Sequence, residues 1–259
     1  MDKYSHRYTV VCTDMNKDYR FSPSAALLYF QESFARYMAC LNMASFDLIK
    51  IHKTWIITEM SAEMMPVDTF WGDDIEVTIW VSEITPFRVY ADYFIRKVDT
   101  DEMIVKGTSC WNLMSTDTHK LLETDTVARN ITIRSEMMVE THRKVRFPKD
   151  GVLLKQVEHK VNRLDLDFNQ HVNNRSYLSI AMLNTSDKFM SAFRTKTMII
   201  HWMHESYLGE NLCSALYEVG EMTYVNKITK EDGTVAAEIY SVWQPFDNQV
   251  DVTKVANRK

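Results

Sequence analysis

VVCTDMNKDYRFSPSAALLYF, Val10 to Phe30, can be laid without a gap over VNRLDLDFNQHVNNRSYLSIA, Val161 to Ala181, with Asp14 above Asp165. Each segment is a short strand-like lead, a polar loop and an apolar helical run. Further on, PVDTFWGDDI (Pro66 to Ile75) lies over MHESYLGENL (Met203 to Leu212), with Gly72 above Gly209 and an acid after each glycine. Both follow an extended apolar stretch, TWIITEM from Thr54 and KTMIIHW from Lys196. Identity is low but the order of elements recurs, which is the mark of a duplication.

The elements around these anchors are of two kinds. Ser22 can cap a helix, Pro23 suits its first position, and AALLYFQESFARYMACL is apolar around most of its circumference, so a buried helix is predicted there. Period-two alternation then predicts strands, with Ile75, Val77, Ile79 and Val81 on one face and Phe87, Val89, Ala91, Tyr93 and Ile95 on another, followed by a run from Val105 to Leu113. The second half repeats the plan, with a helix from about Asn174 to Asp187 and strands near 197–205, 212–219, 223–229 and 234–243. One buried helix followed by an antiparallel meander, twice, is an α+β protein of tandem (double) hotdog layout, each half a long central helix wrapped by a curved antiparallel sheet. The expected division is 1–128, a basic linker at 129–149, and 150–259.

A chain of 259 residues with 46% hydrophobic and 25% charged residues suits a compact globular protein. The net charge of -5 argues against nucleic acid as a partner. The four cysteines have no metal-like spacing, so no metal, cofactor or disulfide is expected. His201 and His204, three apart on a predicted strand, face opposite sides and do not form a ligand pair. No apolar run is long enough for a membrane span or signal peptide, and a cytoplasmic location is expected. Six basic residues stand against two acids, Glu136 and Glu140, between Arg129 and Lys149, a local exception on an acidic chain.

The densest polar cluster is LDLDFNQHVNNRSYL, Leu164 to Leu178. If that loop is extended, Asp167, Asn169 and His171 share a face. Asn173 or Asn174 can cap the following helix, and free N–H groups of Val172, Asn173 and Asn174 could receive a developing negative charge. A carboxylate, a carboxamide and an imidazole beside a helix N-terminus meet the needs of acyl hydrolysis. They are equally ordinary turn and cap residues. The first half sharpens the choice, because Asn16, Asp18 and Arg20 occupy the same places there. The loop recurs without its chemical set.

Asp167-x-Asn169-x-His171-Val172-Asn173-Asn174-x-x-Tyr177 resembles the signature of the acyl-acyl carrier protein (acyl-ACP) thioesterases, and the resemblance runs through most of the chain. It implies hydrolysis of fatty acyl-ACP to free fatty acid, ending chain elongation, with a phosphopantetheine-bearing carrier as partner. In that family a Glu-Cys pair follows a later strand, which corresponds to Glu205-Ser206; serine at this position removes a thiolate nucleophile and favours carboxylate-activated water. The resemblance also implies that the first half lines the acyl pocket, with Phe30, Phe34, Met38, Trp55 and Met60 as wall residues, each also readable as core. Arg129, Arg134, Arg143, Lys144 and Arg146 would attract an acidic carrier. The lack of a plastid-type leader suggests a bacterial member, monomeric or homodimeric.

Three readings compete. A hotdog hydratase would carry D-x-N-P-[LIV]-H, but here His171 follows Asn169 by two with no proline. A coenzyme A carrier presents the same pantetheine arm. A non-catalytic acyl-binding protein would have no use for Asp167, Asn169, His171 and Glu205 together.

Overall fold

The computed structural model describes residues 1–246 apart from 18, 140, 142 and 144. Asp18 and Lys144, singled out above, and Glu140 therefore lie outside the described residues. The chain forms two compact units, the first containing Met1–Arg143 and the second Lys144–Gln249.

In the first unit β1 (Tyr4–Thr9), β2 (Lys53–Met64), β3 (Asp74–Ile84), β4 (Val89–Lys97) and β5 (Met103–Ser115) make an antiparallel sheet in the order β1-β3-β4-β5-β2, with the short β6 (Leu121–Leu122) added to β5. In the second, β7 (Val152–Lys160), β8 (Phe193–Trp202), β9 (Asn211–Gly220), β10 (Thr223–Lys230) and β11 (Val235–Pro245) run β7-β9-β10-β11-β8. The orders coincide when β1 to β5 are matched to β7 to β11. The duplication read from the sequence is a duplication of topology, and the chain is an α+β tandem hotdog.

The first unit's helix, α1 (Pro23–Cys40), starts where Ser22 Oγ accepts the Ala25 N–H at 3.1 Å and proline supplies the first turn. Most of its apolar girth is buried, from Ala25 to Met38, with Leu28 left 40% exposed. Phe30 stacks on Tyr93 and Phe34 on Trp111, with ring centroids 3.4 and 3.8 Å apart. Side chains of this size each contribute roughly 1.5–3 kcal/mol on burial, so this helix anchors the unit. Ile75, Val77, Ile79, Val81, Val89, Ala91, Tyr93 and Ile95 are all buried, as their alternation predicts. Phe87 departs from it: it is 46% exposed and precedes β4, in a turn closed by Thr85 N–H to the Arg88 carbonyl. Short helices α2 (Ser45–Leu48) and α3 (Asp125–Ala128) complete the unit.

The second unit departs from the expected long helix. α4 (Asn174–Met182) has 9 residues against 18 in α1, and a separate α5 (Asp187–Ala192) follows. Asn184, Thr185 and Ser186 break the run, since their side chains compete for backbone partners. Asn184 is buried and its Nδ2 bonds Ser214 Oγ at 2.8 Å and the Ser214 carbonyl at 3.0 Å, while Ser186 Oγ caps α5 at Phe189 N–H.

The basic stretch at 129–149 divides between the units. Its first part is a strap on the outer face of the first sheet: Arg134 N–H donates to the Val81 carbonyl, Trp80 Nε1 to the Glu136 carbonyl and Met138 N–H to Asp92 Oδ1. This cover explains why Trp80, Tyr90 and Asp92, on the face away from α1, are fully buried. Further along, Phe147 stacks on His201 of β8 at 4.2 Å, and that burial pushes the imidazole pKa down. Among the described residues no helix is long and apolar enough to cross a membrane.

Candidate active site

The strand-like leads at Val10 and Val161 are tight 3-10 turns, Cys12–Asp14 and Arg163–Asp165, each following its edge strand. The acid at the end of each turn reaches back three residues. Asp14 Oδ2 accepts the Val11 N–H and Asp165 Oδ2 the Asn162 N–H, both at 2.8 Å. The carbonyls of the same two acids receive the N–H of the helix caps Ser22 and Asn173, again at 2.8 Å. A glycine-bearing turn docks beside each: Gly72 N–H and Gly209 N–H donate to the Val10 and Val161 carbonyls at 2.9 Å, and both glycines have φ +85, a conformation that favours glycine.

Between turn and helix the polar loop is a small hairpin. Leu166 pairs with Val172, Asp167 N–H donates to the His171 carbonyl at 3.1 Å, and Gln170 adopts φ 66 at the tip. The extended conformation expected for this loop is therefore corrected. Asp167 and His171 meet because they face each other across the hairpin, with Oδ1 to Nδ1 at 3.9 Å. Asn169 is carried to the exposed tip, where its N–H donates to Asp167 Oδ1 at 2.8 Å.

Glu205 reaches the same imidazole from the other turn. Its Oε1 lies 3.8 Å from His171 Nε2, so each ring nitrogen faces one carboxylate. The turns are stitched by Val172 N–H to the Ser206 carbonyl, 2.8 Å, and by a backbone bridge between His171 and Tyr207. His204 and Glu205 lie beyond the end of β8 rather than on the strand. Asp167, His171 and Glu205 come together; their side chains are 15%, 24% and 35% exposed, partly open to solvent.

Two expectations are revised by hydrogen bonding. The N–H groups of Val172 and Asn173 already donate, to the Ser206 and Asp165 carbonyls, so neither is free for an oxyanion. Asn173 caps α4 through Oδ1 to Arg175 N–H, 2.9 Å, leaving the Asn174 N–H of the first turn as the donor with no partner among the described residues. Ser206 is fully buried, and its Oγ makes no hydrogen bond among the described residues. The nearby Tyr177 hydroxyl donates to the His204 carbonyl at 3.4 Å, and burial pushes its pKa up to about 12.

The remaining candidates are dispersed. Phe30, Phe34, Met38, Trp55 and Met60 are buried in the first unit's core, where Trp55 Nε1 also donates to the Met43 carbonyl. Arg143 is turned inward: its side chain is 6% exposed and its guanidinium pairs with Asp92 and, at 3.1 Å, with Glu83. It presents no charge to a partner. Arg129 pairs with Asp125 at 3.2 Å and Arg134 with Glu136 at 2.6 Å, while Arg146 is exposed.

Tyr207 was missed, although its hydroxyl donates to Glu205 Oε2 at 2.7 Å. The signal was present in the alignment of the halves, where Phe70 stands above Tyr207.

Two units of one topology in tandem, with an acid-flanked histidine at one helix N-terminus, define a tandem hotdog protein. The acyl-ACP thioesterase N-terminal domain matches residues 1–132 and the C-terminal domain matches residues 153–245. The chain belongs to the acyl-ACP thioesterase family. It is 27% identical over 204 residues to an oleoyl-acyl carrier protein thioesterase, chloroplastic, of Coriandrum sativum, covering 73% of this chain and 54% of that protein. An acyl-[acyl-carrier-protein] hydrolase, chloroplastic, of Cuphea viscosissima is 32% identical over 140 residues, 51% of this chain and 33% of that protein. This chain thus spans about half the length, or less, of these curated relatives. Among solved structures, the 12:0-ACP thioesterase from Umbellularia californica superposes with TM-score 0.83 at 18% identity, covering 94% of this chain and 97% of that one. An acyl-ACP thioesterase from Bacteroides thetaiotaomicron gives 0.81 at 13% identity, covering 93% and 98%. At these identities the superpositions establish the fold.

Proposed function

We propose that the chain hydrolyses the thioester of fatty acyl-ACP, releasing free fatty acid and ending chain elongation. The observation that carries this reading is His171 flanked by Asp167 on Nδ1 and Glu205 on Nε2, beside the first turn of α4, in a chain of this family. Asp167 Oδ1 is already engaged by Asn169 N–H, which suits a carboxylate that orients the imidazole. Glu205 is more open and suits the base. In the proposed step Glu205 takes a proton from water as the oxygen attacks the carbonyl carbon. His171 and Asn169 align the water and the carbonyl, and Asn174 N–H faces the developing oxyanion. The C–S bond then breaks and the thiol leaves with the proton.

The acyl chain is proposed to meet Phe30, Phe34, Met38, Trp55 and Met60, and a shift of chain-length preference in Met38→Ala tests that. Arg129, Arg134 and Arg146 are the basic residues proposed to attract an acidic carrier. A cytoplasmic setting in a bacterium, as monomer or homodimer, belongs to the same proposal.

Steady-state hydrolysis of a chain-length series of acyl-ACP thioesters, beside the matching acyl-CoA series, is the direct test. Preference for the carrier protein, lost in His171→Ala, is expected. A preference for coenzyme A would change the carrier, and no hydrolysis of either series would overturn the reaction. Within an active protein, Glu205→Gln is expected to lower kcat by about 10²–10⁴-fold, and Asp167→Asn less.

A further inference from the structure

We infer that Tyr207 is a positioning residue for Glu205, holding one carboxylate oxygen so that the other stays aimed at His171. The inference rests on the thioesterase reading, and its geometry is complete within one turn. The Tyr207 hydroxyl donates to Glu205 Oε2 at 2.7 Å, while Oε1 lies 3.8 Å from His171 Nε2. The Tyr207 backbone bridges to His171, so this residue ties the carboxylate to the hairpin bearing the imidazole.

Tyr207 is itself fixed. Its N–H donates to Glu210 Oε2 at 3.0 Å, Glu210 pairs with Lys230 Nζ at 3.1 Å, and that ammonium sits 5.6 Å from the Tyr207 ring centroid. The other half supplies the comparison. Phe70 N–H donates to Asp73 Oδ2 at 3.0 Å and Asp73 pairs with Lys97 at 3.1 Å, the same scaffold in duplicate. There the ring is a buried phenylalanine, and Arg20 stands in the sequence where His171 does. The scaffold is common to both halves, and the hydroxyl belongs to the half with the site. The Glu205 carboxylate in turn holds the phenol proton, raising the Tyr207 pKa to about 12, so the hydroxyl remains a donor throughout the neutral range.

A hydroxyl that holds one carboxylate oxygen fixes the direction of the other, so removing it should cost turnover more than binding. The test is kcat and KM for wild type, Tyr207→Phe, Glu205→Gln and the double variant on an acyl-ACP substrate, with Leu208→Ala as a control on the same exposed turn. Tyr207→Phe is expected to lower kcat by about 10-fold or more with KM within about twofold, a loss typical of a hydrogen bond to a charged group. In the Glu205→Gln background the same change should have little further effect. Unchanged kcat in Tyr207→Phe, or a loss equally large without the Glu205 carboxylate, would overturn the inference. Inactivity of the wild type would instead remove the thioesterase reading.

Discussion

Asp14 and Asp165 close the same turn in the two units, yet their second partners differ in kind: Asp14 Oδ2 is held by the Tyr29 hydroxyl at 2.5 Å, Asp165 Oδ2 by His159 Nε2 at 2.8 Å. Asp14 is 3% exposed, so Asp14→Ala strands the buried Tyr29 hydroxyl and should destabilise by about 1–3 kcal/mol, read as a lower denaturant midpoint. Asp165 is half-buried and supports the hairpin that carries Asp167 and His171. Asp165→Ala is expected to have the smaller effect on the denaturant midpoint and the larger one on kcat. Equal effects on both quantities in the two variants would show that the turns serve one purpose.

That contrast marks what the sequence could and could not disclose. The alignment of Asp14 with Asp165 and Gly72 with Gly209 was enough for the duplicated topology, because those residues satisfy backbone groups that any copy of the unit must satisfy. The α4 boundary was less legible. Asn184 ends the helical run by bonding Ser214 across to β9, a tertiary partner that periodicity does not reveal. The site residues were legible as a set, but their convergence rests on a hairpin with Gln170 at positive φ instead of an extended loop. The inward turn of Arg143 was invisible, since only the folded sheet brings Asp92 opposite it.

Ser206 occupies the position at which the resemblance leads one to expect a cysteine, and it is sealed from solvent with its hydroxyl unpaired among the described residues. Removing an unsatisfied buried hydroxyl is close to neutral for stability. Ser206→Ala should therefore keep the wild-type melting temperature and turn over acyl-ACP within about threefold of wild type. Intact mass measured during turnover of wild type should contain no acylated protein. An acyl adduct on Ser206, or loss of turnover in Ser206→Ala, would restore a covalent mechanism at that position.

Arg143 reads in sequence as part of a basic surface, but it neutralises Asp92, which is wholly buried beneath the strap, and its guanidinium carbon lies 4.7 Å from the Tyr90 ring centroid. Breaking a buried pair by deleting one partner leaves an uncompensated charge, at a cost of about 3–5 kcal/mol. Arg143→Ala is expected to lower the melting temperature sharply, whereas Arg146→Ala, at an exposed position, should leave it unchanged. Replacing both members, Arg143→Met with Asp92→Leu, should recover much of the loss. A carrier-binding defect in Arg143→Ala without loss of stability would return this residue to the surface role.

Tyr177 gives the second unit an alkaline limit. Burial raises its pKa from the usual 10 to about 12, so the folded state binds the phenolic proton more tightly than the unfolded state does. The resulting stabilisation is fully present below pH 10 and is lost as pH rises from about 10 through about 12, because the unfolded chain gains the free energy of ionisation first. Unfolding midpoints in denaturant should fall across that window. Tyr177→Phe should flatten the part of the fall that belongs to this residue, with a small loss at neutral pH because its hydrogen bond to the His204 carbonyl is long at 3.4 Å. Tyr29, raised in the same direction by burial and by Asp14, contributes in the first unit, so the double variant Tyr29→Phe/Tyr177→Phe should flatten the profile further. An alkaline profile unchanged by either substitution would mean that both phenols ionise as freely in the folded chain as in the unfolded one.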